Sequence, residues 1–130
     1  MKNLYKFSEF TKESKGDKLE LNGDMTEWDE EWLRNAELSY SYTHNMKPLF
    51  WFGDMVGGYS WSDTDEGFDG IAFVEDYRGK NMMSKFLNTF AKNGKIKFIT
   101  ANDNLKSALS KYGELSYDAI DDSTTLTISE

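Results

Sequence analysis

The chain has 130 residues, of which 38% are hydrophobic and 15% aromatic, enough to build one folded domain around a single core. It contains no cysteine, which excludes disulfide bonds, thiol nucleophiles and thiolate metal sites. Its formal net charge is −8, so generic binding to nucleic acids or to anionic membranes is disfavoured.

The first 48 residues are predicted to be helical or irregular. Apolar residues recur at helical spacing over residues 24–38 and give a buried face that includes Trp28, with Thr26 placed as the N-cap and Asp29 three residues later. Residues 37–44 alternate and predict a strand. Weaker patterns, which fit a short strand or in the first case a short helix, occur at residues 4–10 and 19–23.

A three-stranded antiparallel meander is predicted over residues 49–74. Two β-rich runs, at residues 49–52 and 55–61, flank a Gly-Asp turn and predict a hairpin. A polar turn then leads to a third strand at residues 68–74. The carboxylates in "DTDEGFD" lack the spacing and the helix flanks of a calcium loop, so we interpret them as part of a solvated turn.

The rest of the chain is predicted to alternate helices and strands. An amphipathic helix ends at an Asn-Gly pair, and a strand follows at residues 95–101. Asn102 or Asp103 then caps a second helix, which Gly113 closes. Two final strands at residues 115–120 and 125–130 form a hairpin. This order predicts an α+β fold with a mixed, largely antiparallel sheet and flanking helices.

The segment "VEDYRGKNMMSKFL" (residues 74–87) joins the third strand to the first of these helices. Arg78 and Lys80 add positive charge to it in an otherwise acidic chain, and Gly79 lies between them. Free backbone N–H groups and the positive end of the helix dipole converge at a helix N-terminus, which suits a diphosphate. The segment is therefore the candidate for a phosphate-binding loop.

In this order of elements, residues 49–130 resemble the GNAT-type N-acetyltransferases. In that family a loop of pattern Arg/Gln-x-x-Gly-x-Gly/Ala follows a strand, opens a helix and binds the pyrophosphate of acetyl-CoA through backbone N–H groups. "VGGYSW" and "FDGIAFVEDYRGKNMMSKFLNTF" are similar to the strands, loop and helix of the family, and "ITANDNLKSALSKYGE" is similar to its following strand, asparagine and helix.

The resemblance implies a small acetyl-CoA-dependent enzyme that acetylates an amine of a protein or a small molecule. It implies that Glu75 is the general base and that Tyr112 is the acid for the leaving thiolate. No metal is implied. The implied acetyl-CoA-binding residues are Val74, Arg78, Gly79, Lys80, Asn81, Met82, Met83 and Asn104.

The loop also departs from the family pattern, which leaves a second hypothesis open. Asn81 and Met83 stand where the family has glycine and glycine or alanine, and Tyr112 lies about two residues later than the family's tyrosine. The alternative is a catalytically inactive, acidic GNAT-fold protein that serves as a binding, inhibitory or structural component, for example of a bacteriophage. Its partner would be a basic protein, in the cytoplasm or in the virion.

Other distinctive residues predict ordinary structural roles. His44 is the only histidine, so a two-histidine metal site is excluded and no catalytic triad can be argued. The four tryptophans lack the basic neighbours of a nucleic-acid stacking platform and are interpreted as core residues. The N-terminus lacks the apolar region of a signal peptide, and no apolar run reaches the length of a membrane span, so we expect a cytoplasmic protein.

Overall fold

The computed structural model of the protein describes residues 17–40 and 45–129. The predicted α+β class and the predicted order of meander, helix, strand, helix and hairpin are confirmed. None of the helices in these residues is long and apolar enough to span a membrane. The elements are α1 (Glu27–Tyr40), β1 (Lys47–Trp51), β2 (Asp54–Ser62), β3 (Gly67–Phe73), a 3₁₀ turn (Glu75–Tyr77), α2 (Met82–Phe90), β4 (Lys95–Ile99), α3 (Asp103–Leu109), β5 (Gly113–Asp118) and β6 (Ser123–Ile128).

The strands form one six-stranded sheet in the order β1-β2-β3-β4-β6-β5. β3 and β4 are parallel, whereas every other neighbouring pair is antiparallel, so the sheet is mixed and largely antiparallel as predicted. Parallel neighbours need a crossover connection, and here the 3₁₀ turn, the loop and α2 provide it. The candidate phosphate-binding loop therefore starts at the carboxyl end of β3.

Successive side chains along the strands point to opposite faces of the sheet and belong to two different hydrophobic clusters. Leu49 belongs to the larger cluster and its neighbour Phe50 to the smaller one, and both are fully buried. The larger cluster includes Phe86 of α2 and Leu109 of α3, whereas the smaller one includes Leu33 of α1. Because successive strand residues point to opposite faces, α1 covers one face of the sheet and the other two helices cover the opposite face.

The start of α1 is set by local hydrogen bonds that the sequence predicts. The backbone N–H of Thr26 donates to the carboxylate of Asp29 (3.0 Å), and the backbone N–H of Asp29 donates to the Thr26 hydroxyl (3.1 Å). This reciprocal arrangement satisfies two backbone donors that the helix leaves without an acceptor. The predicted N-cap is therefore confirmed.

The end of α1 differs from the prediction. Residues 37–40 continue the helix and do not form a strand. The carboxylate of Glu37 accepts a hydrogen bond from the backbone N–H of Met46 (2.9 Å), which ties the last turns of the helix to the residue before β1. The rest of the predicted strand, residues 41–44 with His44, lies outside the described residues. The element predicted at residues 4–10 also lies outside them.

The prediction that Trp28 is buried is wrong, since its side chain is 57% exposed. Asp29 and Leu33 lie one turn apart on the buried face of α1. Successive residues of an α-helix are about 100° apart around its axis, which turns Trp28 away from the sheet. The hydrophobic spacing of this segment correctly predicts the burial of Leu33 and Ala36, but it does not predict the exposure of Trp28.

Two further predictions, the end of α3 and the strand at residues 19–23, differ from the structure. α3 ends at Leu109, and Gly113 begins β5 instead of closing the helix. A β-carbon on Gly113 would collide with the backbone carbonyl oxygen of Thr127 in β6, so glycine permits this close pairing. The weak strand predicted around Glu20 is reduced to a single antiparallel bridge with Phe50.

Candidate functional site

A cleft opens in the sheet where β3 and β4 diverge. The two parallel strands are paired only at Phe68 and Phe98, after which β3 continues to Phe73 with no further pairing to the described residues of β4. The cleft has a volume of about 610 Å³, a size typical of small-molecule sites. Its polar and flexible lining side chains include Asp65, Asp69, Arg78, Met83, Asn102 and Asn104.

A β-bulge at Asp69 accounts for the divergence of the two strands. In the register between β2 and β3, Trp61 faces Phe68 and Ser60 faces Gly70, so Asp69 is an extra residue on β3. A bulge bends its strand and ends regular pairing. Because it follows Phe68 directly, it bends β3 away from β4 immediately after their shared pair. The same bulge places Asp69 in the wall of the cleft.

The loop after β3 presents the start of α2 without a side-chain cap. Gly79 and Asn81 both have left-handed backbone conformations, with φ of 79° and 64°. Asn81 occupies the N-cap position, yet its side chain makes no capping hydrogen bond. The backbone N–H groups in the first turn of a helix have no acceptor within that helix. The N-terminus of α2 is therefore a set of donors at the positive end of the helix dipole.

Arg78 is held at the carboxyl end of β3 by a hydrogen bond. Its Nε donates to the backbone carbonyl of Phe73 (3.0 Å), and the side chain lines the cleft. This single bond fixes the guanidinium while it leaves its other N–H groups without an acceptor in the described part of the chain. Such groups suit the oxygens of a phosphate.

Two lysines near this loop, Lys80 and Lys85, place their ammonium groups against different aromatic rings. The ammonium of Lys80 is 5.9 Å from the centre of the Tyr77 ring, within the loop itself. The ammonium of Lys85 is instead 5.1 Å from the centre of the Trp51 ring, on β1. Partial burial, together with the charges of Asp54 and Asp76, raises the pKa of the Tyr77 phenol. The loop therefore carries two cations and a neutral phenol.

The opposite wall of the cleft is formed by the start of α3. The side-chain oxygen of Asn102 accepts a hydrogen bond from the backbone N–H of Leu105 (2.8 Å), so of the two predicted caps Asn102 is the one that forms. This cap fixes the first turn of α3, and both Asn104 and Leu105 line the cleft. The structure thus brings Asn104 into the same cleft as Arg78 and Met83.

Several predicted site residues lie elsewhere. Glu75 is exposed in the 3₁₀ turn and does not line the cleft, and Tyr112 packs against the larger hydrophobic cluster beyond the end of α3. Val74 and Met82 are buried in the core, 6% and 2% exposed, where their side chains are structural. Gly79, Lys80 and Asn81 are exposed on the loop.

Two carboxylates in the cleft were not predicted as site residues. Asp65 accepts a hydrogen bond from the Ser62 hydroxyl (3.2 Å), and its own backbone N–H donates to that hydroxyl (3.2 Å). Asp69 is half-buried at the bulge. The sequence signal for both is the run of alternating carboxylates at residues 63–69, which we interpreted as a solvated turn. The bulge itself has no local sequence signature in this strand.

No protein-family model matches the sequence, and no curated protein sequence matches it. The geometry of the cleft is therefore the basis for assigning a function.

Proposed function

We propose that the protein is a small acetyl-CoA-dependent N-acetyltransferase of the GNAT type. The observation that carries this proposal is the gap between the parallel strands β3 and β4, with the uncapped N-terminus of α2 at its edge. The strand order also supports it. A meander leads into the loop and α2, and the closing hairpin places β6 beside β4.

The loop after β3 is the proposed site for the pyrophosphate of acetyl-CoA. The first-turn backbone N–H groups of Met82, Met83 and Ser84 would donate to its oxygens, and the guanidinium of Arg78 would add a cation. Gly79 has a positive φ, and no other part of the described structure lies within 4 Å of the place where a side chain would begin, so the backbone can approach a ligand closely. Lys80 adds a second positive charge at the edge of the loop.

The thioester arm of the cofactor would lie along β3 within the cleft. That arm is an extended chain with amide groups, which fits beside a strand whose neighbour has diverged. Asn104 and Leu105 of α3 would contact it from the opposite wall. The thioester would then lie near the bulge at Asp69, deep in the cleft.

Transfer of the acetyl group to an amine in this cleft needs one group that accepts a proton. The nitrogen of the acceptor amine attacks the thioester carbonyl carbon, so that a C–N bond forms and the C–S bond breaks. The amine proton passes to a carboxylate, and CoA leaves as its thiolate, which takes a proton from solvent. We assign the base to Asp69, since it lines the cleft and Glu75 does not. The acid predicted at Tyr112 is not required for a thiolate leaving group.

Calorimetric titration with acetyl-CoA tests the proposal directly. We expect micromolar binding that Arg78→Ala weakens by about tenfold or more, because a charged hydrogen-bond donor to the phosphates is lost. Arg34→Ala, an exposed arginine on α1, is the matched control and should bind as the unaltered protein does. Absence of heat at high cofactor concentration would overturn the assignment.

Turnover can be followed without background from the protein. The chain has no cysteine, so a thiol reagent reports only the CoA that is released. Acceptor amines of different classes, such as a polyamine and a lysine-containing peptide, would identify the substrate class. Cofactor binding without thiol release for any amine would indicate that the protein binds acetyl-CoA but does not transfer the acetyl group.

The alternative is an inactive acidic protein that binds a basic partner, for example as a bacteriophage component. The specific observation in its favour is on α1, where the first turn carries Glu27, Asp29 and Glu30, and where Trp28 and Leu38 are 57% and 80% exposed. Large exposed apolar side chains beside like charges are typical of protein interaction surfaces. A partner retained by the unaltered protein and lost in Trp28→Ala, together with no acetyl-CoA binding, would favour this function.

A further inference from the structure

A second cavity, of about 630 Å³, lies on the opposite side of the contact between Phe68 and Phe98. The cleft described above extends from this pair toward the carboxyl ends of β3 and β4, whereas the second cavity is lined by residues that precede the pair, such as Glu66 and Lys95. We call it the lysine groove. Its aromatic lining residues are Tyr59, Trp61, Phe68 and Phe90, and its lysines are Lys47, Lys92, Lys95 and Lys97.

The aromatic side of the lysine groove is a set of packed rings with one open edge. The centres of the Trp61 and Phe68 rings are 4.8 Å apart, and those of Tyr59 and Phe90 are 5.0 Å apart. Trp61 remains 36% exposed, although it faces Phe68 in the sheet register. Burial raises the pKa of the Tyr59 phenol, as expected beside an apolar wall. The Trp61 and Phe68 rings meet edge to face, and a planar ring of a ligand would add a further aromatic contact of this kind.

The cations of the lysine groove are placed by backbone structure. Lys47 faces Tyr59 in the register of β1 and β2, so its side chain is on the same face of the sheet as the Tyr59 ring. Lys92 and Lys95 are joined by two reciprocal backbone hydrogen bonds of 2.9 and 3.0 Å, which close the tight turn between α2 and β4. The turn therefore holds two lysines at one rim of the groove.

Three of these four lysines form no ion pair within the residues that the structure describes. Lys97 pairs with Asp121 (3.0 Å), but Lys47, Lys92 and Lys95 form no ion pair with any residue in the described part of the chain. The lining contains a single carboxylate, that of Glu66. Among the described residues, the groove thus has three lysines without an ion pair and one glutamate, which gives it a local positive charge in a chain whose net charge is −8.

We propose that the lysine groove binds a small aromatic anion, that is, a planar ring that carries a carboxylate or a phosphate. The rings would hold the planar part, and the lysines would hold the acid group. The volume of the groove is within the range of small-ligand sites. A nucleic-acid polymer is disfavoured, because the acidic remainder of the surface would repel its many phosphates. This site is independent of the acetyl-CoA cleft.

The fluorescent probe 8-anilinonaphthalene-1-sulfonate, an aromatic anion, tests the proposal with the full chain. We expect saturable binding that the double variant Lys92→Ala/Lys95→Ala weakens by about fivefold or more. The double variant Lys106→Ala/Lys111→Ala removes the same charge from α3 and the segment after it, and should leave binding unchanged. Equal weakening in both double variants would overturn the proposal, because only the overall charge would then matter.

A neutral analogue of the probe separates the charge from the apolar contact. N-phenyl-1-naphthylamine lacks the sulfonate, so its binding should be weaker and should not change in Lys92→Ala/Lys95→Ala. Equally tight binding of the neutral compound would overturn the role of the lysines. Thermal unfolding followed by circular dichroism should show that both double variants remain folded, since Lys92, Lys95 and Lys111 are exposed and Lys106 is only half-buried.

Two further measurements locate the ligand and identify its acid group. In ¹H–¹⁵N NMR spectra, the probe should shift the signals of the Trp61 indole and the Lys92–Lys95 turn. Shifts confined to the loop at Arg78, or weaker probe binding in Arg78→Ala, would place the probe in the cleft and overturn the proposal. Displacement of the probe by indole-3-acetate would indicate a carboxylate ligand, and displacement by AMP would indicate a phosphate ligand. If neither compound displaces the probe, the proposal is overturned.

Discussion

Phe68 of β3 lies directly opposite Phe98 of β4, with their ring centres 5.9 Å apart, at the place where the two halves of the sheet meet. The pair belongs to the larger hydrophobic cluster, and both side chains are buried. The cleft lies on one side of this pair and the lysine groove on the other. A single aromatic contact thus separates two cavities of different chemistry.

The larger hydrophobic cluster should dominate stability. Phe86 of α2 is fully buried and its ring lies 5.1 Å from that of Phe68. We expect Phe86→Ala to lower the free energy of unfolding by about 3–5 kcal/mol, because a large cavity replaces the ring. Phe52→Ala is the matched control, since Phe52 is 66% exposed in the turn between β1 and β2. Urea unfolding should show a change of under about 0.5 kcal/mol for the control.

Asn81 offers a test of the phosphate-binding loop. Its φ of 64° is a conformation that glycine adopts without strain, and glycine carries no side chain to obstruct a diphosphate. We expect Asn81→Gly to tighten acetyl-CoA binding by about threefold or more while it changes the free energy of unfolding by less than about 1 kcal/mol. Calorimetry and urea unfolding measure the two effects.

Asn93→Gly is the control for this substitution. Asn93 also has a left-handed conformation, with φ of 54°, but it lies in the turn between α2 and β4, away from the cleft. Its replacement should have a similar effect on stability and none on acetyl-CoA binding. If both variants alter cofactor binding equally, the loop at Asn81 is not the phosphate site.

The two asparagines at the start of α3 should have separable roles. Asn102 caps the helix, so Asn102→Ala should lower the free energy of unfolding by about 1 kcal/mol. Asn104 makes no such cap and lines the cleft, so Asn104→Ala should leave stability unchanged and weaken acetyl-CoA binding. Loss of stability in Asn104→Ala, with cofactor binding intact, would contradict its assignment to the site.

The choice of general base can be decided by comparing two neutral isosteres. Asp69→Asn should reduce the rate of acetyl transfer by roughly 100-fold or more, because the proton acceptor in the cleft is lost, while acetyl-CoA still binds. Glu75→Gln should retain activity, since this side chain is exposed outside the cleft. The opposite result would restore the role that the family resemblance implied for Glu75.

The carboxyl of Asp121 should titrate at a lower pH than that of an ordinary aspartate. Hydrogen bonds from the Ser123 hydroxyl and from the ammonium of Lys97 hold the pKa of its carboxyl below the usual value of 3.8. The resulting stabilisation is complete above that value and is lost as the pH falls through the lower pKa of the folded state. NMR titration of the side chain measures this pKa, and Ser123→Ala should raise it. An unchanged pKa in that variant would contradict the assigned cause.

Interactions between near neighbours in the chain made part of this fold predictable. The cap formed by Thr26 and Asp29 needs only residues three apart, and the cap at Asn102 is likewise local. The turns and the hydrophobic periods of β1 to β3, α2 and the closing hairpin follow from short-range patterns of the same kind. These patterns determined the α+β class and the order of the elements.

Only the tertiary structure decided where the two cavities lie. The bulge at Asp69 and the contact of Phe68 with Phe98 depend on which strands become neighbours, and residues 30 apart in the chain meet there. The same packing exposes Trp28 and separates Tyr112 from the cleft. Strand pairing and burial arise from the combined packing of distant segments, and no local pattern in this sequence specifies them.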